Sequence, residues 1–133
     1  LKLMGHGIDI VSLPDFRRLM EGLETAFISR TFAQSEIAQF PEGTSRVQHI
    51  AGRFAAKEAT LKALGVGFGN GISFKDIQIT RENGKPPIVT LCGGAATMAQ
   101  QIGITNWQLS ISHSEDTAIA SVIATAENNI PDA

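Results

Sequence analysis

The stretch RVQHIAGRFAAKEATLKALG, residues 46–65, decides the fold. At about 100° per residue, Val47, Ile50, Ala51, Phe54 and Leu61 share one apolar stripe, which predicts a helix from Arg46 to Leu64. Gly65, just past the last apolar turn, is its expected C-terminal cap. Glu58 falls near the middle of that stripe, with Arg53 and Lys57 on one edge and Lys62 on the other. Of the two lysines, Lys62 is expected to lean inward. A carboxylate in that place must be paired, hydrogen-bonded or bound to a metal, because an isolated buried charge is strongly unfavourable.

Working outward, Gly7-Ile8-Asp9-Ile10-Val11 reads as a strand that repeats the anomaly, since aspartate is a poor strand residue between isoleucines. Two acids placed where their elements want apolar side chains suggest a shared partner. It is either a structural cation, such as Lys62 for Glu58 or an arginine for Asp9, or a hard divalent ion, for which two carboxylates with open positions are the usual magnesium arrangement. Ser12-Leu13-Pro14-Asp15 predicts a capped helix running to about Gly22, with Phe16, Leu19 and Met20 on one face and Arg17 and Arg18 outside it. Two weaker helical patches follow between residues 24 and 40. Beyond Gly65, glycines at 65, 67, 69 and 71 punctuate a loop that fits no nucleotide-binding pattern. Strands are expected at Phe74–Thr80 and Pro87–Leu91 around an Asn83-Gly84 turn. A short helix at Ala95–Ile102, a hairpin of Trp107–His113 with Thr117–Thr125, and a loose tail from Glu127 complete the chain. This order predicts one α+β domain spanning residues 1–133, with a mostly antiparallel sheet against the long helix. Leu1-Lys2-Leu3 precede the first Met and read as an extension foreign to it.

The chain has 133 residues, 11 basic and 13 acidic, with a net charge of −2 and 43% hydrophobic content. That is globular composition, without a bulk electrostatic grip on nucleic acid. The one cysteine, Cys92, excludes a disulfide framework and a multi-cysteine zinc site, and is expected to be buried. No apolar run is long enough to span a membrane and no signal peptide opens the chain, so a cytoplasmic domain is expected. No nucleophilic triad can be assembled, and His6 and His49 carry no pattern.

Gly7-Ile8-Asp9-Ile10-Val11, the run Arg53–Ala59 with Lys62-Ala63-Leu64-Gly65, and Asn83-Gly84-Lys85-Pro86 together resemble the holo-acyl-carrier-protein synthase group of 4′-phosphopantetheinyl transferases, in its bacterial single-domain form. Ser110–Ser114 looks like the family's late strand motif. The resemblance implies transfer of 4′-phosphopantetheine from coenzyme A to a serine of an apo acyl carrier protein in fatty acid biosynthesis, with adenosine 3′,5′-bisphosphate released. It implies magnesium on Asp9 and Glu58 and Lys62 at the diphosphate, so that Asp9, Glu58 and Lys62 form the catalytic set. Arg46, Arg53 and His113 match positions near the adenosine 3′-phosphate, while Gly65 and the Gly84-Lys85-Pro86 turn match the adenine end. The family works as a homotrimer with sites between subunits, and an acidic carrier protein docks on the first helix. Arg17 and Arg18 would meet its charge, and Phe16, Leu19 and Met20 its apolar contacts. Whether Glu58 or a metal-bound water takes the serine proton stays open. The rival readings are a magnesium-dependent nucleotide phosphohydrolase and a non-catalytic carrier-binding module.

Overall fold

A computed structural model describes residues 1–66 and 71–128. In chain order it contains β1 (Lys2–Ser12), α1 (Leu13–Thr31), α2 (Gln34–Ile37), α3 (Arg46–Leu64), a 3-10 turn (Phe74–Asp76), β2 (Ile77–Thr80), β3 (Ile88–Leu91), α4 (Gly93–Ile102), β4 (Asn106–His113) and β5 (Thr117–Ala126). An antiparallel sheet in the order β1-β5-β4 packs one face on α3, and β2 and β3 form a separate antiparallel hairpin. This is the α+β arrangement expected from the sequence.

The close packing of α3 on β1 explains both sequences at once. Along β1 the inward positions are Gly5, Gly7, Asp9 and Val11. A Cβ at Gly5 would stand 2.1 Å from the Ala63 carbonyl oxygen, and one at Gly7 only 1.8 Å from that of Ala59. Strand backbone therefore lies directly on helix backbone, which only glycine permits. On the helix side Ala55, Ala59 and Ala63 are buried and small. The same inward row that supplies two glycines next supplies Asp9, so the approach of α3 delivers Glu58 and Lys62 to it.

A second core joins α1 to α3 through Leu13, Phe16, Met20, Ile28, Phe32, Phe40 and Ile50. Edge-to-face contacts run from Phe16 to Phe27, from Phe27 to Phe54 and from Phe32 to Phe40, with centroids 5.5, 5.4 and 5.0 Å apart.

The long helix has its expected limits, and Gly65 closes it at φ 75°. Several other boundaries move. β1 begins at Lys2, so Lys2 and Leu3 pair with Ala126 and Thr125. α1 is capped by Ser12 but continues past Gly22 to Thr31, bending at the non-helical Leu23. Phe74–Asp76 is a 3-10 turn capped by Ser73, because the Asp76 carboxylate reaches back to the Ser73 N–H at 3.1 Å. Cys92 is exposed, contrary to expectation, since it caps α4 where the chain turns out of β3. Gly67 and Gly69 of the punctuated loop, and tail residues 129–133, lie outside the described residues.

Candidate functional site

Asp9, Glu58 and Lys62 meet in one cavity of about 430 Å³, whose wall also includes Asp15, Phe16 and Leu19 of α1. The ammonium of Lys62 donates to Asp9 Oδ1 at 3.1 Å and to the Ile8 carbonyl at 2.9 Å. Two of its three donors are thereby engaged, leaving one for a ligand. Lys62 does not lean inward: its side chain is 54% exposed, against 17% for Asp9. Lys57 takes the inward direction instead and is fully buried against Glu36. Burial, and then the neighbouring Asp9 carboxylate, raise the Glu58 carboxyl above its usual range, with Lys62 opposing. No group of three or more His, Cys, Asp or Glu side chains that could hold a metal occurs among the described residues. Two neighbouring carboxylates nonetheless suit a hard cation whose remaining ligands are water and phosphate oxygens.

A second locus lies elsewhere on α3. Arg53 follows Glu58 backwards by five positions, about 140° around the helix. It lines a cavity of about 270 Å³ with Gln48, His49, Arg81 and His113, and an adjoining one of about 400 Å³ with His49, Arg81, Asn83 and Gly84. Arg53 is 8% exposed, and its Nε is buried without a partner among the described residues, as is His49 Nε2. His113, exposed at the end of β4, shares a 2.6 Å hydrogen bond with Gln48 Nε2 through Nδ1. Of the residues expected at the phosphate end, Arg53 and His113 come together, with Gly84 beside Arg53.

Arg46 does not join them. Its Nε donates to Glu24 at 2.9 Å, and its guanidinium lies 5.9 Å above the Phe40 ring, in a different cavity. Lys85 is paired with Glu82 at 3.0 Å, and Gly65 serves as helix cap. Pro86 lines none of these cavities, whereas its neighbour Pro87 does. On α1, Phe16 and Met20 cannot be docking contacts as expected, because the helix turns them into the aromatic core, 4% and 5% exposed. Leu19 and Leu23 are the large apolar side chains that α1 shows to solvent. Arg17 is exposed, and Arg18 is bound to Asp15.

His49 and Arg81 carried no signal in the sequence, since each acquires its neighbours only through packing. Burial, then the charges of Arg53 and Arg81, lower His49 from 6.5 to about 4. The folded chain thus holds His49 neutral where the unfolded chain protonates it. Stability should fall as pH drops from 6.5 toward 4, because the unfolded state binds the additional proton. His49→Phe, which keeps the edge-on contact with Phe40, should flatten that part of a urea-unfolding pH profile. An unchanged profile would remove His49 as its source.

The match to a family model described as the 4′-phosphopantetheinyl transferase superfamily covers residues 5–122. The chain belongs to this superfamily. Among curated relatives, the holo-[acyl-carrier-protein] synthase of Clostridium kluyveri is 45% identical over 123 residues, covering 91% of this chain and 89% of the relative. Among solved structures, the synthase of Neisseria meningitidis superposes with a TM-score of 0.82 at 37% identity, covering 92% of this chain and 98% of that one. That of Helicobacter pylori, in complex with coenzyme A, gives 0.77 at 35% identity, covering 90% and 99%. The phosphopantetheinyl transferase fold expected from the sequence is therefore the fold found.

Proposed function

We infer that the chain transfers the 4′-phosphopantetheine group of coenzyme A to a serine hydroxyl of an apo acyl carrier protein, as an enzyme of fatty acid biosynthesis. The observation that carries this reading is the joint cavity of Asp9, Glu58 and Lys62 beside α1, in a chain whose relatives are named holo-[acyl-carrier-protein] synthases. The nucleophile belongs to the carrier, which accounts for a site built of acids and cations with no activated serine or cysteine.

Asp9 and Glu58 are the residues that would hold a magnesium ion, which supplies charge neutralisation at the diphosphate when bound. Lys62, fixed by Asp9 and the Ile8 carbonyl, directs its remaining N–H at a phosphate oxygen and steadies the leaving group. Arg53 and His113 take the phosphate at the adenosine end. Leu19 shares the cavity wall with the acids, so a carrier helix lying along α1 brings its serine to them. Arg17 and Leu23 extend that face, with Arg18 partly neutralised by Asp15.

The two loci open on different sides of α3, and a homotrimer resolves this by setting the acids of one subunit against the Arg53 locus of the next. The outer face of the sheet supports such an assembly. Ile8, Ile10 and Ile123 are 50%, 68% and 40% exposed there, next to Asp9 and Lys62. Covering them with a second copy removes an apolar patch from water. The single exposed Cys92 suits the reducing cytoplasm.

The deciding experiment is the intact mass of an apo acyl carrier protein after incubation with the chain, coenzyme A and magnesium. A phosphopantetheine mass gain that EDTA suppresses is expected. Cleavage of coenzyme A without any mass gain on the carrier would transfer the assignment to a hydrolase. Binding without either reaction would leave a carrier-binding module.

A further inference from the structure

Arg81 follows β2 and is held at three points. Its N–H donates to Gln39 Oε1 and its carbonyl accepts from Gln39 Nε2, both at 3.0 Å, while its Nε donates to the Lys85 carbonyl at 2.7 Å. Its guanidinium is therefore oriented where it lines both cavities shared with His49 and Arg53. The neighbours have its own sign. Arg81 lies near enough to Arg53 and His49 to disfavour the protonated form of each. The carboxylates around this locus are committed elsewhere: Glu82 to Lys85 at 3.0 Å, and Glu36 to Lys57 at 2.7 Å. Arg53 Nε and His49 Nε2 are buried with no partner among the described residues. The Arg81 guanidinium, held beside that of Arg53 against their repulsion, and two buried polar nitrogens lacking partners make the charge arrangement of a phosphate pocket.

We propose that Arg81 is a specificity-determining residue of this chain, a fixed ligand for the 3′-phosphate of coenzyme A that acts with Arg53 in the cavities they share. The proposal rests on the coenzyme A reading above. A phosphate dianion relieves the repulsion between the two arginines and offers acceptors to the η nitrogens of Arg81. A coenzyme lacking that phosphate leaves the repulsion in place, so the site discriminates against it.

The test compares wild type, Arg81→Gln and Arg81→Lys in transfer to apo carrier protein from coenzyme A and from 3′-dephospho-coenzyme A. Arg81→Gln should raise KM for coenzyme A about 10- to 100-fold, the worth of a hydrogen bond to a charged group, and change KM for the dephospho form by less than about threefold. Arg81→Lys should fall between, because an ammonium keeps the charge but lacks the fork. A wild-type ratio of the two KM values in Arg81→Gln overturns the proposal. So does an equal loss on both substrates, which would make Arg81 only a brace for the 81–85 turn. Calorimetric titration with adenosine 3′,5′-bisphosphate and adenosine 5′-monophosphate keeps this separate from the transferase reading. Should the wild type transfer nothing, Arg81→Gln must still weaken the bisphosphate selectively, and failure to do so overturns the proposal alone.

Discussion

The Glu58→Gln protein is expected to transfer phosphopantetheine about 10³-fold more slowly than wild type and yet to melt no lower. The rate loss follows if Glu58 and Asp9 together hold the cation at the diphosphate, since the amide keeps the shape and removes the charge. Stability moves the other way. Burial and Asp9 raise Glu58 above its ordinary value of 4.5, so its ionisation is harder in the folded chain than in the unfolded one. The contribution of Glu58 to stability is present below 4.5 and is lost as pH rises through the folded value. At neutral pH the charge is therefore a cost to the fold. Transfer rates by intact mass, with thermal melts at pH 7 without added metal, check both halves. A near-wild-type rate sinks the catalytic assignment, and a melt several degrees lower would make Glu58 a structural residue.

The same variant tests the trimer. Glu58→Gln chains, inactive through their acids, can be refolded with Arg53→Gln chains, impaired at the other locus. If each site takes its acids from one subunit and its Arg53 from the next, random assortment in a closed ring restores about a quarter of the sites. Should both loci of one chain serve one coenzyme, the mixture stays as inactive as its parts.

How far the sequence discloses this molecule depends on how local each cause is. α3 is legible because its stripe and Gly65 are both contained in residues 46–65. Asp9 and Glu58 are legible because each breaks the pattern of its own element. The reason they meet is less local: Gly5 and Gly7 read as ordinary small residues until the Ala63 and Ala59 carbonyls are seen against them. Phe16 and Met20 have the spacing of a face, but spacing alone does not say whether a core or a partner covers it. Here Phe27 and Phe54 cover Phe16. The directions of Lys57 and Lys62 are not legible in the sequence for a similar reason. Both flank the stripe, and Glu36, which decides between them, lies 21 residues from Lys57 in a short polar segment.

That pair is where the largest loss of stability is expected. Lys57 Nζ donates to Glu36 Oε1 at 2.7 Å, to the Phe74 carbonyl at 2.9 Å and to the Ile77 carbonyl, so all three donors are used, and it sits 5.0 Å from the Phe32 ring centroid. Glu36 in turn accepts from the Ala33 N–H at 3.0 Å and the Ile79 N–H at 3.1 Å. Neither side chain has any exposure. Two charges thus tie α3 to α2, the 3-10 turn and β2, and fix the roll of α3 that presents Glu58 to Asp9. Lys57→Met removes one charge and leaves the Glu36 carboxylate buried without its cation, which costs about 3–5 kcal/mol. For a chain of this size that is about 10–20 °C in Tm. Adding Glu36→Gln to Lys57→Met should recover part of the loss, because the amide oxygen can still accept an N–H and no unpaired charge remains. Urea unfolding of the three variants measures both effects. If Lys57→Met unfolds within about 1 kcal/mol of wild type, water reaches the carboxylate and the pair is not the brace of α3. A full loss that Glu36→Gln does not relieve would assign the cost instead to the lost Lys57 hydrogen bonds to the Phe74 and Ile77 carbonyls.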